Sequence, residues 1–449
     1  MTNVHVDFSK RIGPIKPMHA TNNGPVYKFA ADQRITNMDA FRAAGIPYAR
    51  NHDAAFDATY GGEHIVDVNF IFRDFDLDPY LPESYDFVLT DEYLRVIEHS
   101  GAKVFYRLGS KIEHWKKKYN TLPPKDFKKW AVICEHIIKH YCYGWADGFH
   151  MDIKYWEIWN EADLDADDSQ NKRCWGGTAK EFYELFRITL EHLKTTFPEL
   201  KIGGPAAASI GNTKWLSALF DSLGDIKPDF VSWHVYGANL EKVRRNVRSA
   251  RELLDRYGLQ NAESILNEWN YVRGWVGDDW LYSLRQMKNH KGAAFIASTM
   301  LMCQHEPLDM LMYYDARRGG MNGMFSSDVV SDLLPGYYPF YMFNKLYEEG
   351  TEVATESNGG DDIVAVGAVG NGGCVMLSHF NDDDTTEEKT VKVSFTGVEN
   401  ESGVRLEYYL SDKDHACELV REEIFTAESF AAYIKMPLYS QYLLKIVKL

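Results

Sequence analysis

The chain has 449 residues, of which 45% are hydrophobic, 25% are charged and 14% are aromatic. This balance excludes a disordered chain, and the length exceeds that of one ordinary domain. The formal net charge of −16 argues against nucleic acid and anionic membrane surfaces as binding partners.

The sequence also restricts location and metal chemistry. It contains no run of 18 consecutive apolar residues, so we predict no membrane span. Residues 1–7 lack the basic and apolar regions of a signal peptide, so we expect a cytoplasmic protein, or a secreted or periplasmic one if a leader has been removed. The six cysteines form no C-x-x-C pair, and no H-E-x-x-H motif occurs, which argues against a disulfide framework and a metal site.

In chain order, β-rich runs alternate with amphipathic helical patterns between residues 15 and 350. A short run at residues 4–7 comes first and could add a strand to a separate sheet. The eight following runs lie at residues 15–20, 46–51, 103–108, 155–161, 201–205, 230–235, 264–268 and 310–315. Eight strand–helix alternations predict an α/β fold, the closed (β/α)8 barrel.

Helices are predicted between these runs from apolar residues at helical spacing. Thr178 and Glu181 form a capping box that opens one of them, over residues 182–193. The apolar stretch at residues 293–303 is too short for a membrane span and predicts a buried packing helix. The alternative fold, an open doubly wound sheet, requires a glycine-rich phosphate loop after the first strand, and residues 18–25 contain none.

The pattern changes after residue 350. Short β-rich runs separated by polar or glycine-containing turns lie at residues 363–369, 373–380, 390–395, 405–410 and 442–448. These runs predict an antiparallel β-sandwich. We therefore predict a barrel domain over residues 15–350 and an accessory β-sandwich made of residues 1–14 and 351–449, with an active-site loop at about residues 52–90.

Functional side chains of such a barrel stand at the C-terminal ends of its strands. Glu161 ends the fourth predicted strand in the motif W-N-E, and Glu268 ends the seventh in the motif N-E-W. Glycoside hydrolysis needs two carboxylates that flank the scissile bond: one protonates the leaving oxygen, and the other attacks the anomeric carbon or activates a water. Glu161 and Glu268 are therefore the candidate catalytic residues.

Neighbouring side chains are the candidate substrate-binding residues. Asn160 suits a hydrogen bond to a sugar hydroxyl, and His234 and Tyr236 point the same way because they are two residues apart on one strand. We expect Tyr236 to donate a hydrogen bond to one carboxylate and Trp269 to provide an apolar floor. The other candidates are Arg50 and His52 at the end of the second strand and Tyr314 and Asp315 at the end of the eighth.

Two charged residues, Glu157 and the candidate Arg50, have a structural interpretation. Glu157 lies on the same strand face as Glu161, four residues deeper, and is expected in a polar network inside the barrel. Arg50 could pair with such interior carboxylates instead of binding a substrate.

The strand-end motifs resemble those of a known enzyme family. Residues 155–161, with the sequence YWEIWNE, resemble the acid/base strand of clan A glycoside hydrolases. Residues 6–17, with the sequence VDFSKRIGPIKP, are similar to the start of glycoside hydrolase family 39, the β-xylosidase and α-L-iduronidase family. Residues 85–87, 233–236 and 266–269 are similar to that family as well.

The resemblance implies a barrel with a β-sandwich, a retaining mechanism and no cofactor. Glu161 matches the acid/base of the family and Glu268 its nucleophile, with Asn160, His234 and Tyr236 in supporting positions. Xylosidases of the family are often tetramers, so the resemblance also allows a homo-oligomer.

The sequence departs from the family at the eighth strand, where its xylosidases usually carry a tryptophan and a nearby substrate-binding glutamate. Tyr314 and Asp315 take these places. If Arg317 or Arg318 points inward, its guanidinium would suit the carboxylate of a uronic acid.

We therefore predict a retaining, exo-acting glycosidase that releases terminal sugars from plant-cell-wall oligosaccharides, with β-xylosidase as the preferred activity. The alternatives are an arabinose- or uronic-acid-releasing member of the same family and, in a different class, a non-catalytic carbohydrate-binding barrel. The expected partner is an oligosaccharide or glycoside, without nucleic acid or membrane.

Overall fold

The computed structural model describes residues 1–29, 35–53, 65–399 and 402–449. Within these ranges, an N-terminal strand β1 (Thr2–Pro14) is followed by eight parallel strands that close a barrel in chain order. The barrel strands are β2 (Ala20–Asn22), β3 (Tyr48–Arg50), β4 (Lys103–Leu108), β5 (Tyr155–Ile158), β6 (Lys201–Ala207), β7 (Phe230–Gly237), β8 (Glu263–Tyr271) and β9 (Met310–Tyr313). The closed barrel confirms the predicted α/β fold class.

Helices alternate with the barrel strands. Those in the described residues are α1 (Met38–Ala43), α2 (Val68–Ile71), α3 (Val88–His99), α4 (Phe127–Tyr143), α5 (Ala179–Thr196), α6 (Thr213–Ser222), α7 (Leu240–Arg256), α8 (Gly277–Gln286), α9 (His290–His305) and α10 (Tyr337–Glu349). Among them, none combines the length and the apolar character that crossing a membrane requires.

The capping box predicted for α5 is present. The Glu181 amide donates to the Thr178 hydroxyl over 3.3 Å, and the Thr178 amide donates to the Glu181 carboxylate over 2.7 Å. These bonds satisfy two amide groups that have no partner inside the helix. The helix then buries Phe182, Leu185 and Leu190 at helical spacing in the core around the barrel.

A second sheet is formed by nine strands, counted within the residues that the structure describes. Besides β1, these are β10 (Thr351–Ser357), β11 (Ile363–Val369), β12 (Gly373–His379), β13 (Lys389–Thr396), β14 (Val404–Ser411), β15 (Ala416–Phe425), β16 (Phe430–Met436) and β17 (Gln441–Lys448). Their order is β15-β14-β17-β12-β11-β10-β1-β13-β16, and all pairs except β1–β13 are antiparallel. The N-terminal run therefore adds a strand to this sheet, as predicted.

Alternate residues of this sheet pack into two different cores. On β11, Val364 and Val366 belong to the core that surrounds the barrel. Ile363 and Ala365 point to the opposite face of the sheet and belong to a second hydrophobic core. Since β1 ends at Pro14 and β10 begins at Thr351, we propose the division into a barrel domain and an accessory domain at these positions.

A polar junction links the barrel to the accessory sheet. Lys291, at the start of α9, is 2% exposed and lies 3.0 Å from the Asp382 carboxylate and 2.8 Å from that of Asp384. The Tyr271 hydroxyl, at the end of β8, donates to Asp382 over 2.5 Å, and Arg273 Nη2 lies 3.1 Å from the same carboxylate. The junction thus attaches the segment that follows β8 to the accessory sheet.

Candidate active site

The two candidate catalytic glutamates face each other at the C-terminal end of the barrel. Glu161 stands three residues after the end of β5, and Glu268 lies on β8. One carboxylate oxygen of each and a ring nitrogen of His234 lie within 4.8 Å of one another. The side chain of Glu161 is 14% exposed and that of Glu268 is 7% exposed. Both carboxylates therefore belong to one largely buried site.

Backbone geometry directs Glu161 into this site. Trp159 and Glu161 both have left-handed backbone conformations, with φ of 72° and 49°. Such conformations are strained for residues other than glycine and persist where surrounding contacts hold them. The Trp159 amide donates to the Leu108 carbonyl over 2.7 Å, and the Glu161 amide donates to the Ala206 carbonyl over 2.9 Å. The turn after β5 is thus fixed by the strands on either side.

The Glu161 carboxylate has two side-chain neighbours. His234 Nδ1 lies 2.7 Å from Oε1, and the Cys174 thiol lies 3.8 Å from Oε2. Burial acts to lower the pKa of His234, but the charges of Glu268 and Glu161 outweigh it and raise the pKa above its ordinary value. The acidic neighbours thus favour the protonated form of the His234 ring, which lies between the two carboxyl groups.

The Glu268 carboxylate is held more firmly. The Tyr236 hydroxyl donates to Oε2 over 2.8 Å, and Arg50 Nη1 donates to Oε1 over 2.8 Å. Burial raises the pKa of Glu268, while the charges of His234 and Arg50 and the hydrogen bond from Tyr236 act in the opposite direction. These contacts fix the orientation of a carboxylate that has little water around it.

An irregularity in β8 brings two consecutive side chains to the barrel interior. Trp233 pairs with Leu266 but His234 pairs with Glu268, so Asn267 is an extra residue in the register. The Asn267 side chain donates to Glu157, while Glu268 reaches Tyr236 and Arg50.

Arg50 lies beneath the pocket rather than open to it. Its guanidinium is fully buried and donates to Glu157 over 2.7 Å, Asn160 over 2.7 Å and Asn22 over 3.0 Å, in addition to Glu268. Glu157 is also fully buried and accepts a hydrogen bond from Ser232. The structure thus contains the interior polar network expected around Glu157, and it places Arg50 in that network as a support for Glu268 and Asn160.

A second charged group lies beside Glu268, at the ends of β3 and β9. Arg317 Nη1 lies 3.2 Å from Asp53, and its Nε lies 3.2 Å from Asp315. The Tyr314 hydroxyl donates to Asp53 over 3.3 Å. His52 Nε2 lies 3.9 Å from Glu268 Oε1, and burial lowers the pKa of His52 well below its ordinary value, so its ring is neutral. Tyr314, Asp315 and His52 are thus brought to the same side of the site.

Trp269 requires a correction. Its ring is 1% exposed and packs against Phe295 of α9 and against Tyr313, with ring centroids 6.0 and 5.5 Å away. Successive residues of a strand point to opposite faces, so the orientation of Glu268 into the barrel turns Trp269 outward. The structure does not bring this indole to the pocket as an apolar floor.

Sequence reasoning missed several residues of the site. Asp53 directly follows the candidate His52, and its position at a strand end was the available signal. Cys174 reaches Glu161 from a loop 13 residues away, which no local pattern indicates.

Arg318, the second arginine considered for a uronic acid, does not reach the site. It is exposed and donates to the backbone carbonyls of Ser327 and Asp328, outside the pocket.

Residues 54–64 of the predicted active-site loop lie outside the described residues. The described part of that loop contains α2, a short 3-10 turn at Pro82–Ser84 and the start of α3.

Glu161, His234 and Glu268 are also close enough to bring three ligand atoms to a metal ion. The guanidinium of Arg50, bonded to Glu268, and the raised pKa of His234 both disfavour an additional cation at this position. That the protein uses no metal remains a prediction.

Comparison with known proteins decides the family. Residues 3–271, more than half of the chain, match the model described as Glycosyl hydrolases family 39. The chain belongs to glycosyl hydrolase family 39. The resemblance seen in its strand-end motifs is thereby confirmed, and the protein is a glycoside hydrolase.

Relatives of this family 39 protein carry different activities. A β-xylosidase of Caldicellulosiruptor saccharolyticus is 24% identical over 433 residues, which cover 88% of this chain and 83% of that protein. A glucosidase from Croceicoccus marinus has a TM-score of 0.80 at 20% identity, over 100% of this chain and 99% of that one. A bacterial orthologue of human α-L-iduronidase has a TM-score of 0.71 at 15% identity, over 100% and 84%. The two structural similarities establish the shared fold.

Proposed function

We propose that this family 39 protein is a retaining, exo-acting β-xylosidase that releases terminal xylose from plant-cell-wall oligosaccharides. The observation that carries the proposal is the approach of oxygens of Glu161 and Glu268 to within 4.8 Å. Carboxyl groups are about 5 to 5.5 Å apart in retaining glycosidases and about 6.5 to 9.5 Å apart in inverting ones, which need room for a water. The short separation supports a double displacement.

The surroundings of the two glutamates support a division of roles. Glu268, oriented by Arg50 and Tyr236, attacks the anomeric carbon while Glu161 gives a proton to the leaving oxygen. In the second step Glu161 removes a proton from water, which attacks the same carbon and releases Glu268. Glu161 suits this role because its side chain is the more exposed of the two and its Oε1 lies 2.7 Å from Nδ1 of His234.

Two substitutions and one stereochemical measurement test this mechanism. Glu161→Ala should lose activity mainly on xylosides with poor leaving groups, and azide should restore turnover of nitrophenyl xyloside by replacing water. Glu268→Ala should lose nearly all activity on every substrate. Nuclear magnetic resonance of the first product should detect the β-anomer. An α-anomer, or equal losses of Glu161→Ala on good and poor leaving groups without an azide effect, would contradict the proposal.

The charged group beside Glu268 bears on the choice of sugar. Arg317 lies between the side chains of Asp53 and Asp315, so its guanidinium already has two partners within the protein. A uronate carboxylate would have to compete with these side chains for the guanidinium, which disfavours the uronic-acid alternative. A neutral pentose avoids that repulsion, and the β-xylosidase relative agrees with this choice.

A panel of nitrophenyl glycosides tests the sugar. We expect kcat/KM to be highest for the xyloside, with measurable activity on the glucoside, because exclusion of one extra group by shape contributes roughly 1 to 3 kcal/mol. Arg318→Ala, a surface arginine, is the matched control for Arg317→Ala. If the uronide is the best substrate and Arg317→Ala alone abolishes its turnover, the uronic-acid alternative replaces the xyloside proposal. Absence of hydrolysis on the whole panel would favour the carbohydrate-binding alternative.

A further inference from the structure

An exposed tryptophan stands beside the proposed nucleophile. Trp275, in the segment between β8 and α8, is 55% exposed. Its ring meets that of Tyr236 at a centroid distance of 4.9 Å and an angle of 75°, and Tyr236 donates to Glu268. Trp280 supports it from α8, with centroids 5.3 Å apart. One large apolar side chain is thus held at the entrance of the site with much of its surface in water.

The barrel order places this indole on one particular side of the glutamates. The group formed by Asp53, Tyr314, Asp315 and Arg317 lies at the ends of β3 and β9, which flank β2. Glu161 follows β5, and the ring contact of Trp275 is to Tyr236 on β7; in the barrel order both of these strands lie three positions away from β2. The acid/base stands beside the leaving oxygen. Trp275 therefore lies on the side of the leaving group, and the polar group lies on the side of the sugar that is released.

The segment that carries Trp275 is fixed before any substrate binds. Tyr271 and Arg273, both just before it, contact Asp382 of the accessory sheet. The Arg273 guanidinium also lies 4.0 Å from the centre of the Tyr282 ring on α8. Contacts on both sides limit the motion of the indole, so little conformational freedom is lost when a ligand covers it.

We propose that Trp275 is the platform on which the leaving-group sugar stacks, and that it sets the preference of the enzyme for oligosaccharides over substrates with a small leaving group. The inference rests on the proposed function and adds a residue to it. An aromatic face covers the apolar C–H face of a sugar ring and leaves the hydroxyl groups at its rim in water. The binding energy from contact with this leaving-group sugar promotes the reaction because it holds the glycosidic oxygen against Glu161.

Two substrates that differ only in the leaving group test this inference. Xylobiose has a sugar that can stack, whereas β-xylosyl fluoride leaves a single atom that cannot. Trp275→Ala should lower kcat/KM for xylobiose roughly tenfold to a hundredfold and leave that for the fluoride nearly unchanged. Trp275→Phe, which keeps a smaller aromatic face, should fall between Trp275→Ala and the wild type. Val276→Ala, which changes the neighbouring exposed side chain, is the matched control and should behave as the wild type.

The outcomes separate this inference from the proposed function. If the wild type hydrolyses the fluoride and Trp275→Ala hydrolyses xylobiose as well as the wild type does, the platform is wrong while the β-xylosidase proposal stands. Equal losses on both substrates would mean that Trp275 only supports Tyr236 and Glu268, which also overturns the inference. If the wild type hydrolyses neither substrate, the β-xylosidase proposal fails, and the platform fails with it.

Discussion

The hydroxyl of Tyr236 affects the pH at which the proposed nucleophile is lost. Its hydrogen bond lowers the pKa of Glu268, and burial raises that pKa overall. Protonation of Glu268 abolishes attack, so activity falls on the acid side as pH drops through this pKa. Because Tyr236→Phe removes the donor, the pKa rises further, and the acid limb of kcat/KM should move to higher pH with a lower maximum.

The measurement is a pH profile of kcat/KM for nitrophenyl xyloside. Tyr433→Phe, which alters an exposed tyrosine of the accessory sheet, is the control and should leave the profile in place. An acid limb of Tyr236→Phe that stays in place or moves to lower pH would contradict the assignment of Glu268 as the group that must be ionised.

Asp315 should make the stability of the folded protein depend on pH. Burial raises its pKa from 3.8 to about 7, against the effect of Arg317. A carboxyl whose pKa is higher in the folded state stabilises fully below the unfolded value, and this contribution is lost as pH rises through the folded one. The wild type should therefore lose stability between about pH 4 and pH 7 from this group. Asp315→Asn carries no such titration.

Thermal unfolding at pH 5 and pH 8 tests this expectation. The melting temperature of Asp315→Asn minus that of the wild type should be more positive at pH 8 than at pH 5. Asp328→Asn, at an exposed aspartate, serves as the control. An equal difference at both pH values would mean that Asp315 is ionised over the whole interval.

For individual residues, the sequence predicted those members of the site that stand at the ends of strands. Glu161, Glu268, His234 and Tyr236 meet in the structure because parallel strands of a barrel bring their C-terminal ends to one mouth. Trp269 follows the same rule in sequence, but strand alternation points it away. Contacts between distant loops, such as that of Cys174 with Glu161, depend on packing that no local pattern encodes.

Among the helices and strands, α5 allows a direct test of how a local sequence motif, the capping box, affects the stability of the protein. Thr178→Ala removes the side-chain acceptor of the capping box and should reduce the free energy of unfolding by about 1 kcal/mol. Denaturant unfolding measures the change, and kcat should be unaffected because the helix contributes no side chain to the site. Thr195→Ala, at an exposed position near the other end of the helix, is the control. A loss no greater than that of the control would mean that the cap contributes nothing.

The strands differ in how well their patterns predicted them. The runs at residues 103–108 and 363–369 coincide with β4 and β11, whose buried apolar residues have strong β propensity. The first barrel strand lies later than expected, at Ala20–Asn22, because Pro17 interrupts the predicted run and cannot donate a ladder hydrogen bond. β10, β15 and β16 were not predicted. β15 is an edge strand with mostly exposed residues, so it lacks the alternation that marks a half-buried strand.

For the whole molecule, a substitution of Lys291 tests whether the barrel and the accessory sheet stabilise each other. Its buried ammonium group lies between Asp382 and Asp384, which stand in the loop between β12 and β13 of the accessory sheet. Lys291→Met removes the ammonium partner of both carboxylates and should lower the free energy of unfolding by about 1 to 3 kcal/mol, less than for a fully buried ion pair because the Asp384 side chain is 61% exposed.

Lys435→Met, at an exposed lysine of β16, is the control and should change stability little. Calorimetry adds a second readout: if Lys291 couples the two parts, its loss should broaden or split the thermal transition. A Lys291→Met protein as stable as the control would mean that apolar packing alone maintains the junction.

The position of β1 has a consequence for how the chain is made. This strand lies inside the nine-stranded sheet, yet its two neighbours, β10 and β13, begin 349 and 387 residues after its first residue, from Thr2 to Thr351 and Lys389. A ribosome completes the entire barrel before either neighbour emerges. Residues 2–14 therefore wait through most of translation with an unpaired edge, the kind of segment that other chains can capture.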